Sequence, residues 1–488
     1  MRCGLLVDPR RRRRKDASGF AARRNNRRAV LPSATFGRIN RLRVVTPITP
    51  LPLFRHPMKT YHVSSVRTAA ASIAIFLVCA LRTALGAETT TEPPTSWIDA
   101  DTGHRVIRLT REPGSDSFYF NYNAYTPDGK KMALITPGSG IGVIDLTTLE
   151  EKSLVEGPTK TIIVGSKTPT LYYSKSTDDP YFSSLWSVDL NTGETKKLAD
   201  LPRRASVVTI NADETLGAGT FIEGDANAGG AYDGTPQQTP SRMSATNMGE
   251  PANKGELMAR RLAAKLPVTM FTINLKTGKL TTLMEHSTDW LNHLQFSPAD
   301  PTLLMYCHEG SWEKVDRIWT IRTDGTQNQL IHKRTLEMEI AGHEWWGADG
   351  QTLFYQLHFP RGSRVSFIAS YNIATQQRTW LQYSAENQTS IHDNSSPDGK
   401  IFCGDGDNRS PWIFLFRPKM IQDHGTVGDH LIKGGYLESE KLVNMSKHNY
   451  RLEPNPSFTP DMKYIVFRSN MFGPDYAFAV EVAKAANP

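Results

Sequence analysis

The chain has 488 residues, enough for one large domain or several smaller ones, and a formal net charge of +8. Residues 1–57 hold fifteen Lys or Arg against two Asp, a net of +13, and residues 58–87 add +3, so residues 88–488 carry −8. A mildly acidic main body argues against a nucleic-acid-binding surface. An anionic ligand would have to be bound by local cations or by a metal ion.

The N-terminal end contains two segments that precede the expected domain. Residues 1–57 are basic, and we interpret them either as a leader or as an extension of the gene model upstream of a true start at Met58. Residues 58–87 have the pattern of a secretory signal peptide, with cations ahead of a short apolar run at 69–81 and small residues at the end. The run is too short for a membrane span. The sequence therefore predicts a secreted protein without a stable membrane span after signal removal.

Repeats follow from residue 100 onward. Alternating apolar residues before tight glycine turns, as in Leu185–Gly193 and Met270–Gly278, predict antiparallel hairpins. The turns that open the units start near residues 126, 168, 211, 297, 347, 396 and 459. Seven units of roughly 45 residues suit four-stranded blades. We predict an all-β fold, a seven-bladed β-propeller over residues 88–484; one common period disfavours the alternative, a β-sandwich.

The two ends of this region are expected to meet. Residues 104–110 form an apolar-alternating strand ahead of the first turn, and residues 476–482 form the third strand of a last unit that lacks a fourth. An open sheet edge would otherwise remain, so we predict that the N-terminal strand closes the last blade.

The third unit is longer than the others. Its Gly/Ala/Gln/Pro-rich insertion around 223–256 predicts a surface loop. Arg260, Arg261 and Lys265 follow it, just before the strand 268–274. These cations would suit an acidic substrate, and a solvated basic helix is an equally good interpretation.

Four polar residues share one offset from the repeated turn. His293, His343, His392 and Asn455, the polar column, each lie five residues before the second turn residue, where Tyr122 stands in the first unit. In a propeller this offset falls on the innermost strand, so the column should converge at one mouth of the central channel. Imidazole binds metals and acts as a base near neutral pH, whereas ordinary polar lining of a wet channel is the alternative.

Other candidates lie close to the column. Glu453 precedes Asn455 by two residues and should share its strand face. His308 and Glu309 lie on the second strand of their blade and form either part of the site or a satisfied core pair. The aromatic pair that follows His343 suits either sugar stacking or core packing.

Five motifs together resemble the oligogalacturonate lyase family, over roughly residues 96–484. They are Trp97–Thr110, Cys307–Gly310, Gly342–Trp345, Gly404–Gly406 and Pro456–Asp461. The resemblance implies a seven-bladed propeller that cleaves short oligogalacturonides by β-elimination with a divalent metal, usually Mn²⁺. Such chemistry needs a base for the C5 proton and a cation that neutralises the adjacent carboxylate.

The resemblance also implies residue roles. His293 matches the family's catalytic base and His343 matches its metal histidine, with His392 as a further candidate ligand. The other family ligands, a Gln and two His, correspond to Tyr450, Glu453 and Asn455. Of these, the Glu and Asn oxygens suit Mn²⁺ or Ca²⁺. The family's catalytic arginine has no counterpart at 268–270, so Arg261 or Arg260 would have to replace it.

Two functions remain open at this stage. The first is a secreted lyase acting on oligogalacturonides or a related uronate oligosaccharide in pectin degradation. The second is a non-catalytic propeller that binds acidic glycans or a protein partner, which the missing arginine and replaced ligands favour and the histidines disfavour. A propeller of the kind attached to peptidases is a weaker alternative.

Overall fold

The computed structural model describes residues 92–222, 254–384, 390–425 and 431–485. These residues form a seven-bladed β-propeller built from antiparallel hairpins. The predicted leader, the predicted signal peptide and most of the predicted insertion lie outside the described residues. No described helix is long and apolar enough to cross a membrane.

The first three blades follow the predicted turns in order. Blade 1 has a single inner bridge, Tyr125 to Met132, ahead of three strands. Its strands are β3 (Lys131–Thr136), β4 (Gly140–Asp145) and β5 (Glu151–Val155). Blade 2 contains β6 (Lys160–Val164), β7 (Thr170–Ser176), β8 (Ser183–Asp189) and β9 (Thr195–Asp200). Blade 3 contains β10 (Ala205–Ile210), β11 (Leu216–Ile222), β12 (Val268–Asn274) and β13 (Leu280–His286).

Between β11 and β12 lies α1 (Lys254–Ala264), the one α-helix of the described residues. It carries Arg260 and Arg261, two of the residues predicted as either substrate cations or part of a basic helix, and Lys265 follows its last residue. Arg260 forms an ion pair with Glu256 within the helix. The helix packs near blade 4. Leu262 lies so close to Gly310 that a Cβ built on this glycine would be 3.2 Å from Leu262 Cδ1.

Blades 4 to 6 continue the series. Blade 4 contains β14 (Trp290–Phe296), β15 (Leu303–Glu309), β16 (Ile318–Arg322) and β17 (Gln329–Leu330). Blade 5 contains β18 (Ile340–Trp346), β19 (Thr352–His358), β20 (Ser366–Asn372) and β21 (Arg378–Gln382). Blade 6 contains β22 (Asp393–Ser395), β23 (Phe402–Gly404), β24 (Trp412–Met420) and β25 (Lys433–Asn444). The outer strands β21 and β25 pair in parallel, which joins blades 5 and 6 into one eight-stranded sheet.

The last blade confirms the predicted closure. It contains β26 (Ser457–Phe458), β27 (Tyr464–Ser469) and β28 (Tyr476–Lys484). The N-terminal strand β2 (His104–Arg108) pairs with β28 and completes the blade. A further strand, β1 (Ser96–Ile98), covers the outer edge of β2. The ring is therefore held shut by strands from both ends of the domain.

The core lies within and between the blades. One cluster joins Leu303 and Met305 of blade 4 to Leu353 and Tyr355 of blade 5, so side chains of neighbouring blades pack against each other. Cys307 and Cys403, the two cysteines of the described residues, are both buried and form no disulfide with each other.

Candidate active site at the mouth of the channel

Three members of the polar column have the same unusual backbone conformation. The φ angles of His293, His343 and Asn455 are 50°, 50° and 52°. Residues other than glycine rarely adopt positive φ. At His293 and His343 the pairing with the next strand shifts register, the signature of a β-bulge, which re-aims a side chain and recurs beside active sites. The shared offset in the sequence is therefore a shared local structure.

His293 pairs with a buried carboxylate. Its Nε2 lies 3.4 Å from Glu309 Oε1; the histidine side chain is 31% exposed and that of Glu309 only 2%. Asn292 Nδ2 donates to Glu309 Oε2 at 2.9 Å. A carboxylate in this position favours the tautomer with hydrogen on Nε2, so the lone pair lies on Nδ1. The arrangement suits a general base.

Arg317 neutralises the carboxylates behind His293. It is buried, it donates to both carboxylate oxygens of Glu344 at 3.2 Å, and its Nη1 lies 3.7 Å from Glu309 Oε1. Burial alone would raise the pKa of Glu309, but His293 and Arg317 together hold it well below its usual range. Burial opposes ionisation of Glu344 as well, and the charge of Arg317 keeps its pKa low.

His392 occupies a second carboxylate–histidine pair. Asp405 Oδ2 lies 3.1 Å from His392 Nδ1, and both side chains are fully enclosed. Asp405 Oδ1 also accepts the backbone N–H groups of Ile391 and His392 at 2.8 Å. The opposite nitrogen, Nε2, lies 3.1 Å from the hydroxyl of Tyr119 and 3.7 Å from Glu453 Oε2.

His343 lies beside this pair. The ring centroids of His343 and His392 are 4.8 Å apart, and Trp312 meets His343 edge-on at 5.6 Å. His343 Nδ1 lies 2.7 Å from Gln356 Oε1. Because the Gln356 amide nitrogen donates to Ser390 O, its oxygen accepts from Nδ1–H, which places the lone pair of His343 on Nε2.

Asn455 adds an uncompensated oxygen. Its side chain is 1% exposed, and its Nδ2 donates to the carbonyl of Glu453 at 3.0 Å. Its Oδ1 is buried and has no hydrogen-bond partner among the residues that the structure describes. A buried amide oxygen of this kind costs free energy unless something binds it. Tyr450, at a family ligand position, instead donates to the backbone carbonyl of Asp405.

The donor set suits a divalent metal. His343, His392 and Glu453 offer two imidazole nitrogens and a carboxylate, and Asn455 offers its amide oxygen. Outer partners orient both histidines, as is usual around metals. In the described part of the chain, the one group of three His, Cys, Asp or Glu residues with ligand atoms all within 4.8 Å lies elsewhere, at His286, Asp289 and His308.

Some predicted participants are placed elsewhere. The side chain of Arg261 is outside the described part of the structure. Trp345 and Trp346 are buried and donate to Ser395 and to the carbonyl of Gln295, so both belong to the core. The sequence interpretation missed Arg317, Tyr119 and Trp312, none of which stands at the repeated offset.

A cavity of about 330 Å³ lies at the turn ends of the inner strands. Its lining includes Pro298, Pro397 and Pro460 from the turns together with Tyr122, and no member of the polar column. The four polar residues of the column therefore lie outside this cavity, although Tyr122, which stands at the same offset in the first blade, lines it.

Comparisons with known proteins identify relatives. The family model for oligogalacturonate lyase matches residues 261–486. An oligogalacturonate lyase of Dickeya dadantii (strain 3937) is 27% identical over 411 residues, covering 79% of this chain and 95% of the relative. An oligogalacturonide lyase of Pectobacterium atrosepticum is 25% identical over 409 residues, with the same coverage.

Solved structures show the same fold. An oligogalacturonate lyase in complex with manganese has a TM-score of 0.62 at 24% identity and covers 80% of this chain and 96% of its own. An oligogalacturonate lyase from Vibrio parahaemolyticus has a TM-score of 0.61 at 21% identity, with equal coverage.

Proposed function

We propose that this chain is a divergent member of the oligogalacturonate lyase family, to which it is similar, and that it cleaves oligogalacturonides or related uronate oligosaccharides by β-elimination, in pectin degradation. The observation that carries the proposal is the His293–Glu309 pair together with the cluster of His343, His392 and Glu453. The proposed protein is a carbon–oxygen lyase that takes an acidic sugar chain.

The reaction requires one proton transfer and one bond cleavage. A base removes the proton at C5, the electron pair forms a double bond between C4 and C5, and the glycosidic C4–O bond breaks, leaving an oxygen that takes up a proton. His293 is the proposed base, acting through Nδ1. Glu309 orients the ring and stabilises the imidazolium that forms, as buried carboxylates do for catalytic histidines.

His343, His392, Glu453 and Asn455 are the proposed metal ligands. When bound there, Mn²⁺, or Ca²⁺ as the alternative, would neutralise the uronate carboxylate and so make the C5 proton more acidic. Gln356 and Asp405 hold the Nδ1 atoms of the two imidazoles, which leaves Nε2 of each as the metal-binding atom; at His392 the metal would displace the Tyr119 hydroxyl from this nitrogen. The buried Oδ1 of Asn455 supports its inclusion, although the family has histidine at this position.

Arg261 is the proposed replacement for the family's missing catalytic arginine. Its support is the position of α1, whose Leu262 lies against Gly310, one residue beyond Glu309. Arg260 is the less suitable of the two, because its guanidinium already bonds Glu256.

A direct assay tests the function. Purified protein incubated with a panel of uronate oligosaccharides and Mn²⁺ should release unsaturated products, detected by the ultraviolet absorbance of the new double bond. Chelator should abolish the signal and added Mn²⁺ restore it. Oligogalacturonide binding in a calorimeter without any unsaturated product would instead establish a non-catalytic propeller, the function that Asn455 and Tyr450 at family ligand positions favour.

We also propose that the protein is exported. The support is the signal-like segment 58–87 in the sequence. Expression from Met58 in a bacterial host should give exported protein that starts at Glu88, as determined by N-terminal sequencing. Retention in the cytoplasm with residues 58–87 intact would contradict export.

A further inference from the structure

Two histidines and an aspartate form a separate cluster where blades 3 and 4 join. His286 ends β13, Asp289 lies in the connection to β14, and His308 is on β15. Asp289 Oδ1 lies 2.7 Å from His286 Nε2 and 2.7 Å from His308 Nδ1. The three ligand atoms lie within 4.8 Å of one another.

The cluster is sheltered but accessible. The side chains of His286, Asp289 and His308 are 21%, 15% and 13% exposed. The ring of His308 is flanked by Trp319 at 5.1 Å and Tyr306 at 5.5 Å. The hydroxyl of Thr288 lies 2.8 Å from His286 Nε2. Two imidazole nitrogens therefore lie next to one carboxylate oxygen, at a partly exposed position that a small ion can reach.

We propose that His286, Asp289 and His308 bind a second divalent metal ion, distinct from the one proposed at the polar column. Two imidazoles and a carboxylate form a donor set typical of Zn²⁺. A cation coordinated by all three side chains would replace the hydrogen bonds that now link Asp289 to the two histidines. The ligands come from two blades, so the ion would fasten blade 3 to blade 4.

The position of the cluster gives the ion a supporting role. Asp289 directly precedes β14, the strand that carries His293. Successive residues of a strand face opposite sides, and on β15 His308 faces the cluster whereas Glu309 faces His293. The proposed ion would thus hold the hairpin that aligns the His293–Glu309 pair without contacting substrate.

Cobalt binding tests the site without relying on activity. Metal-free protein is titrated with Co²⁺, whose visible absorption reports ligand geometry, and bound cobalt is counted by elemental analysis after gel filtration. We expect two ions per chain in the wild type and in the control His424→Ala, which removes an exposed histidine outside both clusters. We expect one ion in His308→Ala and in His286→Ala, with more than a hundredfold loss of Co²⁺ affinity at this site.

The variant His343→Ala separates the two sites. It should lose the column ion and keep the ion at His308, and the double variant His343→Ala/His308→Ala should bind none. Cobalt binding by His308→Ala that is identical to the wild type would overturn the inference, and so would one ion in the wild type that only His343→Ala removes. Two ions retained in His343→Ala would count against the proposed column site alone.

A second variant covers the case in which alanine disturbs folding. Asp289→Asn conserves shape and removes the charge that the ion requires. Zn²⁺ should raise the melting temperature of His343→Ala, which keeps only this cluster, but not that of the double variant His343→Ala/Asp289→Asn, provided that circular dichroism shows the double variant to be folded. An equal rise in the double variant would contradict coordination by Asp289.

Discussion

Two histidines of the polar column, His293 and His392, each pair with a buried carboxylate, and the two pairs are built differently. His293 is 31% exposed, its backbone is in a left-handed bulge, and its partner Glu309 is neutralised by Arg317. His392 is 1% exposed, and its partner Asp405 is held by two backbone amides. An accessible imidazole with a compensated partner suits proton transfer, whereas an enclosed imidazole locked from behind suits metal coordination.

The largest expected effect concerns the histidines themselves. His293→Ala should lower the rate of unsaturated-product formation by up to roughly 10⁴-fold, since positioned bases contribute about that much at most. Its metal content should not change. His392→Ala should instead lose bound Mn²⁺, measured by elemental analysis. Loss of metal in His293→Ala, with metal retained in an inactive His392→Ala, would reverse the two assignments.

The sequence predicted what repeats with the blade. The turn period predicted seven blades, and the missing fourth strand of the last unit predicted its closure by β2. Both predictions were possible because hairpin turns and alternating strands are local sequence patterns. The offset placed His343 near His392, whose rings lie 4.8 Å apart. The parallel pairing of β21 with β25 was not predicted, since nothing local in either strand indicates which neighbour its edge will meet.

The supporting residues were harder to predict. Arg317 is far from the repeated offset, and only the folded arrangement brings it between Glu309 and Glu344. Tyr119 reaches His392 from 273 residues away. On sequence alone, His308 was grouped with Glu309, as part of the site or as a core pair. The contact of His308 with His286 and Asp289 was not predicted, because that contact depends on how two blades adjoin.

The two carboxylate–histidine pairs should also differ in how strongly they depend on a neighbouring cation, which for Glu309 is Arg317. Arg317→Met leaves Glu309 and Glu344 buried without their cation, so the free energy of unfolding should fall by about 3 kcal/mol or more. Denaturant unfolding of the wild type and the variant measures this. The paired double variant Glu344→Gln/Arg317→Met should recover part of the loss. An unchanged midpoint in Arg317→Met would show that the cation does not stabilise these carboxylates.

Asp405 should affect metal affinity more than rate. Asp405→Asn weakens the support of His392, and loss of such an outer partner typically costs about 10–100-fold in metal affinity. Activity should therefore return at high Mn²⁺ concentration. Glu309→Gln is the matched change in the other pair, and added Mn²⁺ should not restore its activity. Equal rescue of both variants would remove the distinction between the pairs.

The smallest effect is in the pH dependence of stability. The pKa of Glu309 is held below its ordinary value of 4.5 in the folded state, so its contribution is present above about pH 4.5 and is lost as the pH falls toward the folded pKa. Between pH 5 and pH 3 the free energy of unfolding of the wild type should fall by about 2 kcal/mol more than that of Glu309→Gln. Parallel curves for the two proteins would mean that His293 and Arg317 do not stabilise the ionised carboxylate of Glu309. The evidence for a difference between the two carboxylate–histidine pairs would then be the exposure of His293 against that of His392.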